Sequence, residues 1–86
     1  MATKIIRAGK TLGTTAATSQ KGVERAIVRA VLSAGFRAHG PMDRALSTRD
    51  EYAVQMADGT FQVRGLTGTR QEPRGHVLIA DRITLA

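Results

Sequence analysis

Three groups of residues in this chain have types and spacings that suit chemistry, and all three are basic. The first is Gly9-Lys10-Thr11, which follows the apolar pair Ile5-Ile6 in the order used by the phosphate loop of nucleoside triphosphatases. The spacing departs from that motif. The position five residues before the second glycine should itself be glycine and is Lys4, and the next helical pattern starts about ten residues too late. What survives is a Gly/Thr-rich segment whose amides, with Lys10, can hold a single phosphate or sulfate. The plainer reading is a connecting loop with no ligand.

The second group is Lys21, Arg25 and Arg29, which repeat every four residues and therefore stack on one side of a helix. Like charges at this spacing cost an isolated helix a few tenths of a kcal/mol per pair, a cost that a bound anion removes. The competing reading is a solvated face neutralised by Glu24 and by carboxylates such as Asp50 or Glu51. The third group is Arg64, Arg70 and Arg74. Arginine suits such patches because its planar guanidinium offers a fork of donors to phosphate or carboxylate and stays charged. Codon bias toward arginine is the alternative explanation of ten arginines against three lysines.

Other chemistry is poorly supplied. General bases are limited to His39, His76 and seven carboxylates, in no catalytic or metal-ligating constellation. There is no cysteine, hence no disulfide, thiol nucleophile or cysteine-held zinc. The expectation is a non-enzymatic protein without cofactor or metal. No apolar run approaches the ~20 residues that span a bilayer, and the N-terminus lacks a signal-peptide core. No membrane association and a cytoplasmic address are expected.

The elements that must position the basic groups follow from periodicity. Lys4 to Ala8 reads as a short strand ended by Gly9, and residues 9–20 as a long, flexible Gly/Thr/Ser loop. Val23, Ile27, Ala30, Val31 and Ala34 fall on one face at the 3.6-residue period, with Thr18 or Ser19 as N-cap and Gly35-Phe36 as the stop. Gly40-Pro41 breaks the chain, and a short helical turn is expected from Pro41 to Leu46. From Glu51 the period becomes two. With Asp58-Gly59 as a two-residue turn, Met56 should face Phe61, Val54 face Val63 and Tyr52 face Gly65, putting Tyr52, Val54 and Met56 on the apolar side. Residues 66–75 read as a basic loop, and His76 to Leu85 as a last strand whose parity is interrupted at Asp81 by a bulge or an edge position. From Asp58 to Gly75, a strand, a basic arm and Pro73 near its tip distantly resemble the arm of bacterial histone-like architectural proteins. The arm is short and the long helical half ahead of it is absent, so no family is assigned.

The fold expected is a small single α+β domain over residues 1–86, one main amphipathic helix packed on an antiparallel sheet, in the order β-α-β-β-β. A chain of 86 residues buries roughly 60 to 65% of its unfolded surface, and with two phenylalanines, one tyrosine and no tryptophan its core must be aliphatic. The net charge of +6 points to an acidic partner. The leading expectation is a binding module that contacts nucleic-acid phosphates through Lys10, Lys21, Arg25, Arg29, Arg64, Arg70 and Arg74. Tyr52, Phe61 and Phe36 sit on apolar faces, so base stacking has no platform and phosphate contact would dominate. The alternative is a protein-interaction module, such as a small inhibitor or assembly protein of a phage or mobile element, docking its basic face or an open strand edge on an acidic protein. Homo-oligomerisation through a sheet edge is a third option.

Overall fold

The helical period becomes α1 (Gln20–Ser33) in the computed structural model, which describes residues 2–86. Its N-cap is Ser19, whose hydroxyl accepts the Gly22 amide at 3.1 Å. At the other end the Phe36 amide donates to Val31 O and the Gly35 amide to Leu32 O, the paired bonds that close a helix on a left-handed glycine. The face foreseen from the period is the one that packs. Ile27 and Val31 are fully buried and Ala30 nearly so; the two larger side chains contribute about 1.5–3 kcal/mol each.

The remaining elements are β1 (Thr3–Arg7), β2 (Lys10–Thr15), β3 (Ala38–His39), β4 (Ala45–Leu46), β5 (Arg49–Gln55), β6 (Phe61–Gly68) and β7 (Pro73–Leu85). Five of them form one antiparallel sheet in the order β2-β1-β7-β6-β5, and β3 and β4 make a small separate ribbon. The chain is thus an α+β fold with one amphipathic helix on an antiparallel sheet. The helix covers a single face, where Ile5, Ala53, Phe61, Val63, Ile79 and Ile83 are buried with it. Among the described residues, no helix is long and apolar enough to cross a membrane.

Several local expectations are corrected. Lys10–Thr15, read as part of a loop, is strand β2 on β1, because Ala8 and Gly9 both take positive φ (52° and 77°) and close a two-residue hairpin turn that pairs Arg7 with Lys10. Instead of a helical turn running to Leu46, only Pro41–Asp43 forms a 3-10 turn; Arg44 is extended and β4 follows. The basic loop of residues 66–75 is mostly the far end of the β6–β7 hairpin, whose connection is only residues 69–72. The parity break at Asp81 is a bulge inside a strand, with Arg82 at φ 54°, since β7 lies between β1 and β6.

The β5–β6 register is shifted by one residue from expectation. Phe61 pairs with Gln55, Val63 with Ala53 and Arg64 with Tyr52. The loop holds three residues, Ala57-Asp58-Gly59, because Gly59 adopts φ +88° and the Asp58 carboxylate accepts both the Thr60 amide (3.0 Å) and hydroxyl (2.7 Å). A one-residue slip exchanges the two faces of a strand. Ala53 therefore lies under the helix, and Tyr52 and Val54 lie on the other side with Gln62, Arg64 and Leu66.

Candidate binding groove

Lys21, Arg25 and Arg29 form the flank of α1 that does not pack, and all three are exposed. The structure brings them to the margin of β5, the last strand of the sheet. Helix and strand run side by side in opposite directions: Gln20 Nε2 lies 3.5 Å from Gln55 Oε1 at one end, while Leu32 shares a hollow with Thr48 and Glu51 at the other. Between them lies an open groove of about 490 Å³. The three cations line it along the helix, Val28, Leu32 and Ala53 contribute its apolar surface, Tyr52 borders it on the edge strand, and Glu24 and Glu51 also line it. Past Leu32 and Glu51 it continues into a second hollow bordered by Arg37 and residues 45–48.

The free edge of β5 makes this more than a charged helix face. Met56 N–H donates to Thr60 O at 2.7 Å, so residues 56 and 60 form a hydrogen-bonded pair. By alternation the pairs Val54/Gln62 and Tyr52/Arg64 are hydrogen-bonded too, and the N–H and C=O of Ala53 and Gln55 turn away from β6 toward the open edge. The regular edge stops near Asp50. This residue has φ 50°, and the pairing shifts between Arg49 and Tyr52, a bulge of the kind that blunts sheet edges.

The electrostatics leave the groove positive. Among the described residues only two basic side chains lie within ion-pair distance of a carboxylate: Arg7 with Asp81 (3.4 Å) and Arg49 with Asp50 (2.7 Å). Lys21, Arg25 and Arg29 have no such partner. The two groove carboxylates accept from neutral donors, Glu24 from Gln20 Nε2 at 3.1 Å and Glu51 from the Thr48 hydroxyl at 3.4 Å, so they lower the groove's charge without pairing the three cations. The neutralising role foreseen for Glu24, Asp50 and Glu51 is therefore not made by direct pairing.

The other expected contacts do not join this site. Arg64 extends from the sheet face opposite the helix, where its guanidinium donates to Gln62 Oε1 at 2.7 and 3.1 Å. Arg70 and Arg74 are exposed at and beside the tip of the β6–β7 hairpin. Lys10 lies on β2, the far edge of the sheet from β5, and its neighbour Gly9 forms a hairpin turn. The aromatic side chains are placed unevenly. Phe61 is buried, Phe36 stacks beneath Arg7 with 4.9 Å from the guanidinium carbon to the ring centroid, and Tyr52 leaves the core to meet His76, with Oη 2.7 Å from Nδ1. Neither histidine belongs to a metal-ligating group of three among the described residues.

Sequence reasoning missed Arg37, Val28 and Leu32, and it offered an open strand edge without identifying β5 as the strand that supplies it. Val28 and Leu32 carried a signal, being one step along the helix from Ile27 and Val31. They widen the apolar stripe toward the basic flank, as expected of a helix that overhangs a sheet margin. Compared with protein-family models, with curated proteins and with solved structures, the chain matches none.

Proposed function

We propose that this chain is a non-enzymatic binding module that seats an acidic protein segment between α1 and the margin of β5. The observation that carries this reading is the pairing of three cations without an ion-pair partner among the described residues, Lys21, Arg25 and Arg29, with an apolar-lined groove and an unpaired strand edge. Polypeptide matches all three features: acidic side chains for the cations, apolar stems for Val28 and Leu32, and backbone groups for the edge. A sugar-phosphate backbone matches only the first, while Glu24 and Glu51 in the same groove oppose either anion and leave the choice to the apolar lining and the strand edge.

Contact with nucleic-acid phosphates is the second reading, and the observation in its favour is the exposed pair Arg70 and Arg74 at the hairpin tip, where neither has a carboxylate within ion-pair distance. Fluorescence anisotropy separates the two. Labelled polyglutamate, a generic duplex and a single strand are titrated at low and moderate salt, with the wild-type protein and with Arg25→Ala/Arg29→Ala. The acidic-segment reading expects polyglutamate to bind, the double variant to lose that binding, and nucleic acid to compete poorly. Tight duplex or single-strand binding with a steep salt slope, and none to polyglutamate, would establish phosphate contact instead.

A further inference from the structure

Granting the acidic-segment reading, we infer that the segment binds in extended form as a sixth strand on β5, with acidic side chains at alternate positions facing Lys21, Arg25 and Arg29. Two repeats coincide to give this mode. Residues four apart on a helix advance about 6 Å along its axis. Residues two apart on a strand advance about 6.6–6.8 Å. Because α1 runs alongside β5, a strand added to β5 lies nearly parallel to the cation ridge, and three of its same-face side chains fall opposite the three cations with less than about 2 Å of accumulated mismatch over the ridge. Long, flexible Lys and Arg side chains absorb that difference.

The backbone of the site agrees with this arrangement. Ala53 and Gln55 offer N–H and C=O groups to the open edge, and the bulge at Asp50 ends the regular edge, so about four or five residues of partner can pair. The side chain of Ala53 faces the helix, so partner residues on the same face as Ala53 extend beneath the cations. The intervening partner side chains fall on the opposite sheet face, beside Val54 and Tyr52, where no cation of the ridge reaches. The structure therefore specifies a partner pattern, acidic at every second residue, that a helix does not reproduce and that needs no acid at the intervening positions. The same edge used by a second copy of this chain would bring β5 against β5. The residues of the Ala53 parity would then be Arg49, Glu51, Ala53 and Gln55, which offer the ridge a single acid instead of an alternating series.

The test uses a fluorescein-labelled peptide alternating glutamate and threonine, with two isomers N-methylated either on every glutamate amide or on every threonine amide. All residues of one parity in a strand turn their N–H groups to the same edge. Loss of binding confined to one isomer, at least about tenfold for two backbone bonds, is the expected result. Loss on the glutamate isomer marks antiparallel addition and loss on the threonine isomer parallel addition. Protection of the Ala53 and Gln55 amides from exchange on binding is the second expected readout, available even if a groove variant folds poorly. If both isomers bind like the parent, or both lose binding equally, strand addition is overturned while charge-driven capture of an acidic segment stands. If neither the alternating peptide nor polyglutamate binds, the acidic-segment reading falls with it.

Discussion

Replacing Arg25 by glutamine should make the free protein more stable, although it removes the centre of the proposed binding ridge. Arg25 is four residues from Lys21 and four from Arg29, and none of the three has a carboxylate within ion-pair distance. Each like-charge pair at this spacing costs about 0.2–0.5 kcal/mol. Arg25 takes part in two such pairs, so Arg25→Gln relieves about 0.4–1 kcal/mol, while glutamine matches arginine in helix propensity. For a domain of this size that is a rise in Tm of about 2–8 °C, taking about 4–8 °C per kcal/mol. Arg29→Gln breaks one pair and should give about half the gain. Thermal unfolding followed by circular dichroism at about 10 mM salt and again at about 1 M decides the matter, because the screening length shortens from about 30 Å to about 3 Å. A gain at low salt that disappears at high salt is expected. An unchanged or lowered Tm at low salt would refute the reasoning, since it would mean that Glu24 and Glu51 already neutralise the ridge in the free protein. A gain of the same size at high salt would show that the effect is not electrostatic.

Two further substitutions probe the loops that set strand geometry. Gly68 has φ +88°, and a Cβ there would run into Glu72 O and the Arg74 amide; Gly68→Ala should therefore open the hairpin tip and speed tryptic cleavage at Arg70. Because residues 68–74 are all exposed, Tm should change little, and a large fall would contradict that assignment. At the β5–β6 turn, hydrogen bonds from the Thr60 hydroxyl and then the Thr60 amide hold the Asp58 pKa below its ordinary value. A lowered folded-state pKa contributes stability that is present above the unfolded value of about 3.9 and is lost as pH falls through the folded one. Thr60→Val should return the Asp58 carboxyl, followed by NMR titration, toward the ordinary value and weaken the protein near neutral pH but not at pH well below the folded-state pKa of that carboxyl. An unmoved titration would mean that the turn is held otherwise.

Much of the fold was legible because its signals are local. Ser19, the Ile27/Ala30/Val31 face and Gly35-Phe36 specify α1 within one stretch of chain, since a cap, a 3.6-residue period and a left-handed stop need no distant partner. The alternation over residues 51–64 likewise reads correctly as two strands, and the parity break at Asp81 in the last strand, open between a bulge and an edge position, resolves to a bulge. The β5–β6 register did not, because a two-residue and a three-residue loop differ by a single residue, and Ala57-Asp58-Gly59 is consistent with either until the chain is paired. That one residue decides whether Ala53 or Val54 lies under the helix, and so which side chains border the groove.

The candidate site divides in the same way. From the order of residues alone, the chain determines a basic, cysteine-free α+β protein with an aliphatic core and a helix bearing Lys21, Arg25 and Arg29 on its unpacked flank. Which strand lies beside that flank is a matter of tertiary structure. β7, the last strand in the chain, inserts between β1 and β6 and leaves β5 at the margin, and the helix lies along that margin. Strand order depends on contacts between segments far apart in sequence, and no local period encodes them. For that reason the three helix cations could be named from their spacing, while their separation from Arg64 and their placement over an open strand edge appear only once the chain is folded.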